Sequence, residues 1–127
     1  MTRWLSNQQS GKLTERHLDL AKQILRTKFV IGLFPKLQES MEHFEKYFGF
    51  QVANNIHRER CVADHISDGI NGHDVSAEMP KKGSKAYDSV LELNHMDVEL
   101  YRYAQVLFDQ QAQYFENIPR PVFGNRQ

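Results

Sequence analysis

The chain has one cysteine, no net charge and no long apolar run, and each shortage narrows what it can be. Cys61 has no partner for an internal disulfide, and a single thiol does not fix the redox compartment. Sixteen Lys and Arg balance sixteen Asp and Glu. There is therefore no global electrostatic case for nucleic acid or for an anionic membrane surface, and only local basic patches remain. Nowhere do apolar residues run for the roughly 20 positions needed to cross a bilayer. The opening MTRWLSNQQS lacks the apolar centre of a signal peptide, so a targeting segment is either unused or lies outside this chain. At 127 residues the length suits one ordinary domain.

What is present is helical grammar with one exception. Thr14 is a good N-cap, and Leu13 and Leu18 stand at hydrophobic-staple spacing. Leu18, Ala21, Ile24 and Leu25 then share a face, predicting a helix over 15–26. The exception follows at once. Phe29-Val30-Ile31-Gly32-Leu33 has no polar residue, the pattern of a central parallel strand covered on both faces. Pro35 suits a first helical turn. Leu37, Met41, Phe44 and Phe48 recur at i, i+4, i+7 and i+11 as a core-facing stripe, and Gly49 is the expected left-handed stop. Residues 51–83 read as a long irregular excursion with a short helix over 59–66. A short helix to about Leu93 follows. Asn94 then caps a last helix that buries Val98, Tyr101, Ala104, Leu107, Phe108, Ala112 and Phe115. Gln51–Ile56 and Pro121–Phe123 are poor strands, so the neighbours of the 29–33 strand are expected in sequence outside this chain or in a partner chain.

Four segments in order, MTRWL, LTERHLDLAKQIL, KFVIGLFPKLQESMEHFEKYFGF and VLELNHMDVELYRYAQVLFDQQ, resemble the C-terminal portion of the carbohydrate sulfotransferases of the Golgi 2-O-sulfotransferase type. The last carries Asn94, Asp97, Leu100 and Tyr101 in the family's Asn-x-x-Asp-x-x-Leu-Tyr pattern. A family glutamate after Gly-Leu is replaced by Phe34-Pro35. The resemblance implies an α/β fold, with residues 1–127 as the C-terminal part of one P-loop-like domain, mostly helical with one buried parallel strand. It also implies transfer of a sulfuryl group from 3′-phosphoadenosine 5′-phosphosulfate (PAPS) to a glycan hydroxyl. Neither metal nor nucleic acid is expected. Location would be Golgi lumen or membrane in a eukaryote, with any anchor outside this chain. Leu33-Phe34-Pro35 is no phosphate cradle, so the phosphosulfate loop and the catalytic base belong upstream, and the chain alone is expected to be inactive. One basic turn, Pro80-Lys81-Lys82-Gly83-Ser84-Lys85, stands where related sulfotransferases place a basic loop over the 3′-phosphate. Lys81, Lys82, Gly83 and Ser84 are accordingly the candidate donor-binding residues.

Two other constellations compete. His57, Cys61 and His65 are spaced i, i+4 and i+8, a zinc-ligand set on one helical face that Asp64 or His73 would complete, though in no recognised finger spacing. His17, His43 and His95 sit beside charged neighbours and read as surface residues. The amphipathic helix over 97–115 also suits a non-catalytic helical interaction module.

Overall fold

The computed structural model describes residues 1–49, 56, 59–60, 63–64 and 79–118. Its elements are α1 (Thr2–Leu5), α2 (Glu15–Lys28), a 3-10 turn (Phe34–Lys36), α3 (Leu37–Phe48), α4 (Lys85–Leu93) and α5 (His95–Glu116). Helix α2 begins as its sequence dictates. Thr14 is extended, at φ −128° and ψ 165°. Its backbone N–H donates to His17 Nδ1 at 3.0 Å, and its Oγ1 lies 2.9 Å from the same nitrogen. His17 is thus a capping residue rather than a bystander. Leu18, Ala21 and Leu25 are buried on one face, and Leu13 packs against that core.

The fold is helical: the described residues contain no strand and no sheet, which overturns the α/β expectation with its buried parallel strand. Phe29 leaves α2 extended, at φ −126° and ψ 140°, as the apolar run predicts. Ile31 and Leu33 are buried, while Phe29 remains 47% exposed. Side chains of the helices, rather than a neighbouring strand, bond one edge of this backbone. The Gln111 amide accepts from Ile31 N–H through Oε1 at 2.9 Å and donates to the Phe29 carbonyl through Nε2 at 2.9 Å. Those are the kinds of contact a partner strand would make along that edge. Ser40 Oγ accepts from Leu33 N–H at 2.9 Å. Its single proton is shared between the Lys36 carbonyl at 2.7 Å and the Leu33 carbonyl at 3.1 Å. Above Gly32 sits the Phe44 ring. A Cβ at Gly32 would lie 2.6 Å from Phe44 Cζ, so any side chain there would have to push the Phe44 ring aside.

Helix α3 presents a different face from the expected one. Ser40 and His43 are buried, whereas Leu37, Met41 and Phe44 are half-buried and Phe48 is 56% exposed. His43 packs its ring 4.6 Å from Phe108 and 4.9 Å from Phe115, joining α3 to α5. Gly49 ends the helix at φ 65°, the left-handed stop the sequence predicts. Helix α5 is the spine. Met96, Leu100, Ala104, Leu107, Phe108 and Phe115 are buried along it, and α1, α2, α3 and α4 all contact it. Leu100 takes the core position and leaves Tyr101 exposed.

The N-terminal stretch, polar in composition, still docks. Asp97 Oδ1 accepts from Thr2 N–H at 2.7 Å and from Thr2 Oγ1 at 2.6 Å, and its Oδ2 lies 2.9 Å from the Met1 amino group. Thr2 is fully buried as a result. Burial alone would raise the Asp97 carboxyl, but the Thr2 hydroxyl and amide and the amino group outweigh it and hold it at about 2.

Candidate phosphate-binding turn

The basic turn takes its shape from two residues. Ser84 N–H donates to the Lys81 carbonyl at 2.9 Å and closes a four-residue turn. Gly83 stands at φ +82°, the left-handed third position that favours glycine, with open space around it. Ser84, at φ −80° and ψ 154°, is the N-cap of α4, and its Oγ accepts from Tyr87 N–H at 3.2 Å. The amides of Lys85 and Ala86, first in the helix, have no acceptor among the described residues, as helix starts leave them.

Lys81, Lys82 and Lys85 flank this helix start along the chain, all exposed and none in an ion pair among the described residues. The turn thus brings together the candidate donor-binding residues Lys81, Lys82, Gly83 and Ser84. It adds Lys85 and two free amides that a basic-residue count does not register. Asp88 is the acidic residue of the first turn of α4. Ammonium groups, a left-handed glycine and a helix start form a chemically competent cradle for a phosphate dianion. A general base and a nucleophile are not part of it.

The remaining motif residues turn out to be structural. Asn94 Nδ2 donates to the Val90 carbonyl at 2.8 Å and closes the end of α4. Asp97 anchors α1, and Leu100 fills the core. Of the three histidines read as surface residues, His95 is exposed, His17 caps α2 and His43 is buried. Burial pushes the His43 imidazole below its ordinary value, with Lys46 contributing, and its buried Nδ1 has no hydrogen-bond partner among the described residues. His57, Cys61, His65 and His73 lie outside the described residues, and Asp64 is helical and exposed.

A second concavity, about 880 Å³, opens between α1 and the α4–α5 junction, beside Trp4 (85% exposed) and Leu93 (83% exposed). A third, about 600 Å³, lies where the extended segment meets the ends of α3 and α5. Among the described residues no helix is long and apolar enough to cross a membrane. Comparison with family models, curated proteins and solved structures returns no match.

Proposed function

We propose that this chain is the helical C-terminal part of a PAPS-dependent carbohydrate sulfotransferase, in which the turn at Lys81–Ser84 holds a phosphate of the donor nucleotide. Two things support the reading. One is the ordered run of four family-like segments. The other, which carries it, is the turn itself, in which Lys81, Lys82 and Lys85 have no ion pair among the described residues and flank a Ser84-capped helix start. In this role the lysines and the free amides bind and orient the nucleotide. The sulfuryl group passes from the phosphosulfate to an acceptor hydroxyl, whose proton goes to a base supplied by sequence outside this chain.

Adenosine 3′,5′-bisphosphate, the desulfated donor, tests the turn. Titrated into the isotope-labelled chain, it should shift the amide signals of Lys82 to Ala86. Lys81→Ala with Lys82→Ala should weaken that binding about tenfold, the scale expected for losing two phosphate-directed cations. Unmoved signals at millimolar nucleotide would remove the turn from the site. The chain alone should transfer no sulfate from PAPS to any glycan.

A helical interaction module is the second reading, and α4 favours it. That helix buries none of its residues, and Val90, Leu91 and Leu93 are 50%, 39% and 83% exposed. A cooperative unfolding transition by the isolated chain, together with silence towards the nucleotide, would select this reading.

A further inference from the structure

The extended segment 29–33 has two backbone edges, and the helices close only one. The Phe29 carbonyl and the Ile31 N–H meet the Gln111 amide, and the N–H and carbonyl of Leu33 meet the Ser40 hydroxyl. Residues 30 and 32 point the opposite way along an extended chain. The N–H and C=O groups of Val30 and Gly32 have no hydrogen-bond partner among the described residues. Gly32 is exposed and Val30 half-buried. A lone extended segment normally loses its shape. Here α3 and α5 hold it from one side and leave a pre-formed row of donors and acceptors on the other.

Beside Val30 the third concavity, about 600 Å³, is walled by Tyr47, Phe48 and Tyr114 and rimmed by Arg26 and Lys28. Tyr47 and Phe48 meet edge to face, with ring centroids 4.9 Å apart. Arg26 and Lys28 are exposed and enter no ion pair among the described residues, and none of the described residues lining the cleft is Asp or Glu. Among the described residues the cleft is therefore cationic and aromatic, and it reaches Val30 of the open edge as well as Phe29 and Gln111 of the closed one.

We infer that the Val30–Gly32 edge is a docking site for an extended acidic peptide strand from another polypeptide. Its backbone pairs with Val30 and Gly32, its apolar side chains lie against the aromatic wall, and its carboxylates face Arg26 and Lys28. The open edge selects a peptide over a glycan or a nucleotide. The uncompensated cations select an acidic one. Because the segment is already ordered, binding costs little conformational entropy on this side. The inference is independent of the phosphate turn, which sits at the start of α4.

A capped hexapeptide of alternating glutamate and valine is the probe. Titrated into the isotope-labelled chain, it should bind saturably and slow hydrogen exchange at Val30 and Gly32 at least tenfold. A lysine–valine counterpart, and a glutamate–valine peptide methylated on alternate amides, should each bind at least tenfold more weakly. Val30→Pro removes one edge donor, and Phe29 already has the extended conformation that a following proline demands. With helical circular dichroism unchanged, this variant should bind at least tenfold more weakly. If it fails to fold, the methylated peptide on the unaltered chain makes the same test. Arg26→Glu with Lys28→Glu should reverse the preference towards the lysine–valine peptide. The inference is overturned by no saturable binding at millimolar peptide, by equal binding of the methylated peptide, or by unchanged exchange at Val30 and Gly32. Protection of those amides by self-association alone would assign the edge to a second copy of this chain and would equally overturn it.

Discussion

Replacing Gln111 by leucine tests whether a side-chain amide truly stands in for a strand. Leucine keeps most of the volume and removes both hydrogen bonds, each 2.9 Å long. The two losses are unequal. The Phe29 carbonyl is at an exposed site and turns to water, for a cost of about 0.5–1 kcal/mol. Ile31 N–H is partly buried, and its desolvation is no longer compensated, for about 1–2 kcal/mol. The sum is about 2 kcal/mol, or roughly 8 °C in melting temperature for a domain of this size. Urea unfolding followed by far-ultraviolet circular dichroism should show a lower midpoint at unchanged slope. Gln111→Glu sharpens the test. Ionised, it still accepts from Ile31 N–H but sets a carboxylate against the Phe29 carbonyl. Protonated, it regains a donor. This variant should therefore gain stability relative to the unaltered chain as pH falls from 6 towards about 4.3, the ordinary glutamate value. A Gln111→Leu variant within 0.5 kcal/mol of the unaltered chain would refute the reasoning, because the segment would then be extended for some other cause.

Three further outcomes follow from the same contacts. His43 is held below its ordinary value, so the unfolded chain takes up the proton first; stability is complete above about 6.5 and declines as pH falls below it. His43→Leu should flatten that decline in pH-dependent melts while leaving stability at pH 7.5 equal or higher. Asp97 is held at about 2, so its contribution is present above roughly 4 and is lost as pH falls from there towards 2. Asp97→Asn should cost about 1 kcal/mol at pH 7 in urea titrations, the modest figure due to a partly exposed carboxylate, and should remove that acid window. Gly32→Ala sets a methyl 2.6 Å from Phe44 Cζ and should lower the melting temperature, and adding Phe44→Leu should recover part of the loss.

The four longer helices were legible because their signals are local, whereas α1 (Thr2–Leu5) was not. Thr14, Leu13 and Leu18 mark the start of α2, and Gly49 marks the end of α3. Asn94 lies between α4 and α5 as its sequence context predicts, although it acts through the Val90 carbonyl rather than by capping α5 with its side chain. The faces of the helices were less legible. Leu100 and Tyr101 are adjacent apolar residues about 100° apart on a helix, and only the packed partner decides which one is buried. On α3 the apolar stripe pointed away from Ser40 and His43. Both are polar, yet both are buried, one by bonding the Leu33 and Lys36 carbonyls and the other by lying against two phenylalanines. The basic turn was visible as composition, while its helix-start geometry depended on Ser84 taking the cap.

The misread strand rests on a physical gap in what periodicity can say. Five apolar residues in a row predict a paired strand, and the chain is extended at Phe29 and Leu33 without being paired in a sheet. Pairing does not follow, because a backbone edge needs only donors and acceptors, and an amide 80 positions away supplies them as well as a strand does. Nothing local in the sequence around Gln111 signals that job. The substitution also has a direction. While Gln111 and Ser40 occupy the edge of Phe29, Ile31 and Leu33, a peptide approaching from that side must first break their bonds, whereas the backbone groups of Val30 and Gly32 hold no such bonds among the described residues. The helices that deprive this segment of a sheet therefore determine the one side from which a strand can reach it.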